Sequence, residues 1–252
     1  MLLILFVGSL SSQAFAYGFE GHLIAGRLAE DLLCERATTE ISALVGDADL
    51  GELGLWADRI RSGDEIPDSS PWHYLNIANG EPLAEFAHPP EGDVLWAIGH
   101  FSARLRDANL SRNERAEALK FLIHFVVDLH QPLHVGLVED RGGNTISIEF
   151  RGETTNLHRF WDTHAIEVID LSLNAYIQSL RRDLVAADES VSLDPWDWAE
   201  ESLRLRPGVY GFRQSQREQS AAYLYFAASI TRERLGLAAR RLAGTLNAYW
   251  CN

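Results

Sequence analysis

The sequence predicts an all-α domain that carries one small β-hairpin. Apolar residues recur at helical spacing from Leu23 to Leu246, through most of the chain. Strand-like alternation is confined to residues 145–150, directly after a glycine-rich turn at 140–144. Hydrophobic residues make up 46% of the 252 positions, which is ample for one sizeable core, and no linker or repeat divides the chain. We therefore expect a single domain over residues 17–252.

The individual elements follow from the same periodicity and from the residues that interrupt it. The polar composition of residues 63–71 predicts a loop, and Pro89 and Pro90 exclude a regular element from residues 82–92. Helices are predicted, in chain order, over residues 21–45, 55–61, 93–107, 114–130, 157–168, 175–185, 196–205 and 217–246.

Residues 1–16 differ from the rest of the chain and are predicted to be a signal peptide. Residues 2–10 form an apolar run of suitable length, too short to span a bilayer, although no Lys or Arg precedes it. Ala14 and Ala16 provide the small residues of a cleavage site, and the alternative is a buried N-terminal helix. We expect cleavage between Ala16 and Tyr17, export to the periplasm or the external medium, and no membrane anchor.

Charge and cysteine content limit the functional classes. A net charge of −14 opposes a protein that holds nucleic acid on a broad basic surface, but it allows one that holds phosphate on metal ions. The two cysteines, Cys34 and Cys251, are too few for a thiolate zinc site. In an oxidising compartment they could form one disulfide, and the sequence leaves this open.

Two His–Asp pairs indicate a metal site. His124 and Asp128, and again His158 and Asp162, stand four residues apart in apolar, helix-compatible sequence, which brings each pair to one helical face. Each pair alone also fits a hydrogen-bonded core histidine or a surface pair. Imidazole and carboxylate are the ligands that zinc takes without thiolates, and polar groups rarely lie in apolar helices unless something pairs with them. Further segments of the same kind contain His22, Asp58, His73 and His134.

Together these segments resemble the single-strand-specific zinc nucleases, the group of the fungal single-strand nucleases and the plant bifunctional nucleases. The resemblance extends in order over residues 17–247 and implies the helical fold shared by zinc phospholipase C and these nucleases. The matching motifs are Gly21-His22, Trp56-Ala-Asp58, Trp72-His73-Tyr74, the run from His124 to His134, Asp140-Arg-Gly-Gly-Asn144, Asn156-Leu-His158 through Trp161-Asp162, and Trp198-Ala-Glu-Glu-Ser202.

The resemblance also implies three Zn²⁺ ions in one cleft. The first ion would take the side chains of Asp58, His73, His124 and Asp128. The second would take those of His134, His158 and Asp162. The third would take His22, the bridging Asp128, and the backbone amine and carbonyl of Tyr17. A free α-amine exists at Tyr17 only after the signal peptide is removed, and the family usually has Trp at this position.

The activity implied by the resemblance is cleavage of single-stranded DNA and RNA to 5′-phosphorylated nucleotides, with 3′-nucleotidase activity. Asp58 and Asp128 would hold the zinc ions that activate the attacking water, and Arg61 would neutralise the charge that develops on the phosphate. Tyr74 would stack on an unpaired base. Asn76 stands where fungal relatives have a base-recognising Asp, so the sequence leaves base preference open.

A zinc phospholipase C is the alternative enzyme, because it shares the three-metal architecture and also hydrolyses phosphodiesters. In that class the last ligand is typically Glu, whereas this chain has Asp162. A secreted zinc-binding protein without activity would be expected to lack a ligand, and every expected ligand is present. The expected partners are single-stranded nucleic acid and nucleotides, and the expected oligomeric state is a monomer.

Overall fold

The computed structural model describes residues 18–61, 69–186, 190–212 and 219–251, and these residues form a mostly helical structure with one two-stranded sheet. The predicted fold class is confirmed. The predicted signal peptide, Tyr17 and most of the predicted loop at 63–71 lie outside the described residues. Among the helices described, none has the length and apolar character needed to cross a membrane.

The first predicted helix is in fact two helices. Helix α1 spans Gly18–Glu30 and α2 spans Glu35–Val45, with a turn between them. The continuous helix predicted over residues 21–45 is therefore wrong at this turn. Leu32 extends the helical apolar pattern in the sequence, yet it lies in the turn and is 38% exposed. The apolar periodicity of the sequence therefore continues through the turn between α1 and α2, although the helix does not.

A disulfide joins the start of α2 to the C-terminal end of the described chain. Cys34 precedes α2 and is bonded to Cys251, and their Cα atoms are 6.7 Å apart. The backbone N–H of Cys34 also donates to the side chain of Asn247, near the end of the last helix. The pairing that the sequence left open is present in the structure, and it closes a loop of most of the domain.

The central part of the chain contains two short helices and two long ones. Helix α3 spans Leu50–Gly54, which the sequence did not predict, and α4 spans Trp56–Arg61. Helices α5 (Val94–Arg106) and α6 (Arg112–Asp128) begin at side-chain caps, Asp93 for α5 and a Ser111–Glu114 capping box for α6. Three 3₁₀ turns supplement them, at Ser70–His73, Leu83–Glu85 and Pro132–Val135.

The predicted hairpin is formed by β1 (Ser147–Phe150) and β2 (Glu153–Asn156), which are antiparallel. Its two turn residues, Arg151 and Gly152, have φ angles of 51° and 80°, as a tight right-twisting hairpin requires. The segment predicted as one helix over 157–168 is helical, but a π turn interrupts it. It consists of α7 (Leu157–Arg159), the π turn Phe160–His164, and α8 (Ala165–Glu167).

Helices α9 (Leu173–Ala186), α10 (Pro195–Val209) and α11 (Ala221–Trp250) complete the described chain. The main core surrounds α6, whose Phe121 and Phe125 stack on one another, and α11 packs against α1 and α6. A smaller apolar cluster lies beneath the hairpin and includes Phe160, Trp161 and Tyr223. The polar segments singled out in the sequence lie where the two clusters adjoin.

Candidate metal centre

Helix α6 supplies the middle of the site. Its 17 residues hold His124 and Asp128 on one face, both fully buried, with His124 Nε2 2.9 Å from Asp128 Oδ2. Helix α1 adds His22, whose ring stacks on that of His124 at a centroid distance of 4.1 Å. His22 Nε2 lies 3.4 Å from Asp128 Oδ1, the opposite carboxylate oxygen. Two helices far apart in sequence thus bring three ligand-type side chains together.

Two short elements close this part of the site. The 3₁₀ turn Ser70–His73 places His73 Nδ1 3.0 Å from Asp128 Oδ2 and 2.9 Å from His124 Nε2. Helix α4 places Asp58 Oδ1 3.9 Å from His124 Nε2. Asp58 and His73 are both buried. The short helix α4 and the 3₁₀ turn therefore add two ligand-type side chains to those that α6 and α1 supply.

A second part of the site comes from the other apolar cluster. His134, on the 3₁₀ turn Pro132–Val135, has its Nε2 3.6 Å from Asp162 Oδ1. His158 Nε2 lies 3.4 Å from Asp162 Oδ2, and the rings of His134 and His158 stack. His134 Nδ1 is also 3.7 Å from Asp128 Oδ1. The two parts are thus neighbours that meet at Asp128.

The donor atoms fit metal ions. Three groups of side chains each offer ligand atoms within 4.8 Å of one another, and all of these side chains are buried: His22 with His124 and Asp128, Asp58 with His73 and His124, and His134 with His158 and Asp162. Within the described residues, both ring nitrogens of His22 and of His134 make no hydrogen bond, and neither does His73 Nε2. Buried polar atoms are rarely left in this state, and bound cations would satisfy them. Nitrogen and carboxylate oxygen without thiolate form a donor set that suits zinc.

A cleft opens above these groups, with a volume of about 210 Å³. The structure places the predicted substrate-contacting residues at its mouth. Arg61 Nη2 is 3.1 Å from Asp58 Oδ1, and Tyr74 is 39% exposed beside the buried His73. The residues that line the cleft are Arg61, His73, Tyr74, Asn76, Leu133, His134, Arg141, Asn144 and His158.

A family model described as S1/P1 Nuclease matches residues 17–250. The chain belongs to the S1/P1 nuclease family. Endonuclease 4 of Arabidopsis thaliana is 30% identical over 97% of this chain and 92% of its own length. Nuclease S1 of Aspergillus oryzae is 29% identical over 63% of this chain and 58% of its own, and nuclease P1 of Penicillium citrinum is 30% identical over 59% and 57%. The predicted family is confirmed, and the protein is a nuclease, a hydrolase that acts on nucleic acid.

Backbone carbonyls orient two of the nuclease's histidines. His124 Nδ1–H donates to the carbonyl oxygen of Gly54 at 2.6 Å, and His158 Nδ1–H donates to that of Gly142 at 2.7 Å. A proton held at Nδ1 leaves Nε2 unprotonated in a neutral imidazole, and in both residues Nε2 points to the centre of the site. Gly54 and Gly142 are functional positions that the sequence did not reveal, because they act through the backbone.

Gln131 supports the second part of the site. Its side-chain amide donates to Asp162 Oδ1 at 2.6 Å, and its own oxygen accepts from the backbone N–H of Leu133. Gln131 is fully buried. Sequence reasoning missed this role. A signal was available, since an amide between His130 and Pro132 in an apolar run needs partners of its own.

The segment 140–144 is a rigid loop that presents the Gly142 carbonyl. Asp140 Oδ1 accepts from the backbone N–H of Gly143 at 2.6 Å and from the Tyr210 hydroxyl at 3.1 Å. Gly142 has a φ of 64°, and a Cβ atom there would lie 2.7 Å from the carbonyl oxygen of Leu133. Only glycine fits this conformation and this close approach without strain. The glycine-rich turn predicted from sequence thus serves the metal centre.

The start of α1 also reaches the site. Gly18 has a φ of 26°, and a Cβ atom there would lie 2.7 Å from the carbonyl oxygen of Asp162. The backbone of the first described residue is therefore pressed against the residue that carries a ligand-type carboxylate. Tyr17, the predicted terminal ligand, lies outside the described residues.

The environment sets the protonation states of the cluster. Burial lowers the pKa of His73 to about 4, although a hydrogen bond to Asp128 opposes this. Burial alone would raise the pKa of the Asp128 carboxyl, but His124 and His134 hold it well below its usual range. Burial would lower the pKa of His134, but Asp128 and Asp162 raise it overall. An ionised Asp128 and a neutral His73 are the forms that bind metal.

The remaining histidines of the described chain lie outside the three groups. His130 Nδ1–H donates to the Val126 carbonyl, and its Nε2 accepts from Arg241, so both of its ring nitrogens serve the packing of the core. His88, His100 and His164 contact Asp93, Trp96 and Glu167 respectively.

Proposed function

We propose that this nuclease is a trinuclear zinc phosphodiesterase that cleaves single-stranded DNA and RNA to 5′-phosphorylated nucleotides and also acts as a 3′-nucleotidase. One observation carries the proposal: three buried His/Asp groups adjoin around Asp128, and His73, His134 and His158 from two of them line one cleft. Membership of a nuclease family supports a phosphodiester as the substrate. The exposed cationic and aromatic side chains at the mouth support a nucleic acid strand as its source.

The proposed ligand sets follow the adjoining groups. Asp128 is the shared member, because its Oδ2 faces His73 and His124 while its Oδ1 faces His22 and His134. The first zinc ion would be held by Asp58, His73, His124 and Asp128. The second would be held by His134, His158 and Asp162. The third would be held by His22, Asp128 and the backbone amine and carbonyl of Tyr17.

When bound, the zinc ions supply Lewis-acid chemistry, lowering the pKa of a water molecule and neutralising phosphate charge. The chain's own residues position the substrate. Arg61 lies at the cleft within 3.1 Å of Asp58, and its guanidinium can turn to a phosphate oxygen and neutralise charge that develops there. Asp58 and Asp128 would hold the zinc ions beneath that phosphate.

Selectivity for single strands would come from Tyr74 and Asn76. Stacking of one base on an exposed aromatic ring contributes roughly 1–3 kcal/mol, and a base inside a duplex does not present its face to such a ring. Tyr74 is exposed beside the buried His73, so a stacked base would place its phosphate over the floor of the cleft. Asn76 offers both a donor and an acceptor to the base edge.

We further propose that residues 1–16 are a signal peptide and that the mature protein, residues 17–252, is a monomeric domain acting in the periplasm or outside the cell. Cleavage after Ala16 would free the Tyr17 amine for the third zinc ion. The close approach of Gly18 to Asp162 supports this, because it brings the start of the described chain beside a residue of the second ligand group. Intact mass of the exported protein tests the cleavage point.

The deciding experiment uses mature protein that begins at Tyr17. Hydrolysis of single-stranded DNA, single-stranded RNA, duplex DNA and phosphatidylcholine is measured after chelation and again after zinc is restored. We expect zinc-dependent release of 5′-mononucleotides from both single strands and much slower cleavage of the duplex. Cleavage of the lipid alone would make the protein a phospholipase. A protein that retains Ala16 is the matched control. Its Tyr17 nitrogen is an amide and a poor metal ligand, so this protein should bind one zinc ion fewer.

A further inference from the structure

Arg141 lies at the mouth of the cleft in a backbone conformation that side chains other than glycine rarely adopt. Its φ is 57°, and among the described residues only Arg141 and Arg151 combine a side chain with a positive φ. The left-handed region is strained for such residues, and strain of this kind concentrates at functional sites. A glycine at position 141 would remove the strain, so the arginine side chain needs an explanation.

Arg151 shows what such an explanation looks like. Its guanidinium donates to the Glu167 carbonyl oxygen at 3.0 Å and lies over the Phe150 ring at 5.1 Å, so it stabilises the hairpin turn. The Arg141 guanidinium makes no hydrogen bond or ion pair within the described residues, and the residue is exposed. Unlike Arg151, Arg141 lines the cleft, together with Arg61 and Tyr74.

The loop holds Arg141 in place before any substrate arrives. The Arg141 backbone N–H donates to the Val138 carbonyl at 3.2 Å, and the next N–H, that of Gly142, donates to the Leu137 carbonyl at 2.9 Å. Asp140 closes the loop from the other side through Gly143. The fixed backbone limits the region that the guanidinium can reach, and it offers a cation to an anionic substrate in a protein of net charge −14.

We propose that Arg141 is a specificity-determining residue that binds the phosphate next to the scissile one, and so favours chains with several phosphodiesters over dinucleotides. This inference rests on the proposed function. Arg61 lies close to Asp58, in the first part of the site, whereas Arg141 precedes Gly142, whose carbonyl accepts from His158 in the second part. A guanidinium can grip two phosphate oxygens at once, which suits a contact that fixes the strand's register.

The test compares two glycine variants that remove the same charge from the same backbone conformation. Arg141→Gly changes the cleft, and Arg151→Gly, at a φ of 51°, changes only the hairpin. Values of kcat/KM are measured for a dinucleoside monophosphate and a single-stranded tetranucleotide over a range of NaCl concentrations. For Arg141→Gly we expect the preference for the tetranucleotide to fall at least about tenfold, mainly through KM. The slope of log kcat/KM against log salt should become shallower by about 0.7.

Arg151→Gly should keep the wild-type preference and salt slope, and Arg141→Lys should recover part of both. An Arg141→Gly protein with the wild-type preference and slope overturns the proposal. Should that variant fold poorly, Arg141→Asn removes the charge with a residue that tolerates positive φ. If the wild type cleaves neither substrate, the proposed function is wrong. Salt-dependent binding of a fluorescent single-stranded oligonucleotide then decides the role of Arg141 by the same slope difference.

Discussion

The two His–Asp pairs of the metal centre, on α6 and across the π turn, reach similar arrangements by different means. His124 and Asp128 belong to a regular helix of 17 residues in the main core. His158 lies in the three-residue helix α7 and Asp162 in the π turn that follows, within the smaller cluster. A backbone carbonyl orients the histidine of each pair, that of Gly54 for His124 and that of Gly142 for His158. Only the second pair lacks a continuous α-helix and has a side-chain amide, that of Gln131, on its carboxylate.

This difference means that the two parts of the centre should fail in different ways. Damage to the first part should come mainly from changes at the ligands, because one helix of 17 residues carries both members of the pair. Damage to the second part can occur at residues that never touch a metal, such as Gly142 and Gln131. The predictions below test that division, from the largest effect to the smallest.

Replacing the shared carboxylate should have the largest effect. Asp128→Asn removes the charge that faces His22, His73, His124 and His134, so we expect the loss of two of the three proposed zinc ions. Hydrolysis of single-stranded DNA should fall at least about a thousandfold. Asp162→Asn is the matched control and should lose one zinc ion. Metal content by mass spectrometry and kcat/KM check both, and equal losses in the two variants would refute the central place given to Asp128.

The loop glycine should be the most sensitive position that is not a ligand. Gly142→Ala places a Cβ atom 2.7 Å from the Leu133 carbonyl at a φ of 64°, so the loop must shift and carry the His158 acceptor with it. We expect a loss of about 1–3 kcal/mol in unfolding free energy and weaker zinc binding at the second group only.

Gly152→Ala provides the control for Gly142→Ala. Gly152 has a φ of 80° and open space around its Cα atom, so alanine there adds strain without a clash. Urea unfolding in chelator and zinc competition titrations separate the two variants. If Gly152→Ala weakened zinc binding as much as Gly142→Ala, the carbonyl of Gly142 would not be the cause.

Gln131→Glu tests the support of Asp162 without changing size. The new carboxylate replaces a donor that lies 2.6 Å from Asp162 Oδ1 and would repel that oxygen. Mutation of a residue that orients a metal ligand typically weakens metal binding by 10- to 100-fold. We expect a loss of about that size for one zinc ion, with the zinc content of the α6 part unchanged. If the zinc ions held by Asp128 were lost as well, the turn that contains Gln131 would be moving together with the end of α6.

The first part of the centre was predictable from sequence because a helix converts spacing into proximity. His124 and Asp128 follow from that rule, and the family motifs located the others. The fold class was predictable for the same reason. The break between α1 and α2 was not, because Leu32 continues the apolar pattern through a turn in which it is exposed.

The supporting residues escaped prediction because their contribution is made by the backbone or by an uncharged amide. Gly54 and Gly142 act through carbonyl oxygens, which every residue has, so only the folded geometry reveals which of them are used. The π turn was also not predictable, because the spacing of His158 and Asp162 is identical to that of the first pair, which lies in a regular α-helix. Sequence can therefore predict ligands more readily than the atoms that orient them.

The smallest predicted effect is a difference in proton release between the two pairs. Burial would lower the pKa of His124, but Asp128 and Asp58 raise it above its ordinary 6.5, whereas burial lowers the pKa of His158. In metal-free protein, stability from His124 is fully present below pH 6.5 and is lost as pH rises through its folded pKa. For His158 the sign is opposite, because the unfolded state takes up the proton first, so stability falls as pH drops below 6.5.

Zinc binds only neutral imidazole, so its binding releases a proton from any histidine that is protonated in the metal-free protein. The raised pKa values of His124 and His134 make these two the main sources of the release, whereas the lowered pKa of His158 makes it a minor one. Calorimetry of zinc binding at pH 7 in buffers of different ionisation enthalpy measures this release. We expect Asp162→Asn to retain more of the wild-type proton release than Asp128→Asn, because burial would lower the pKa of His124 and of His134 and Asp128 raises both. Equal release from both variants would mean that the two pairs differ in their support but not in their electrostatics.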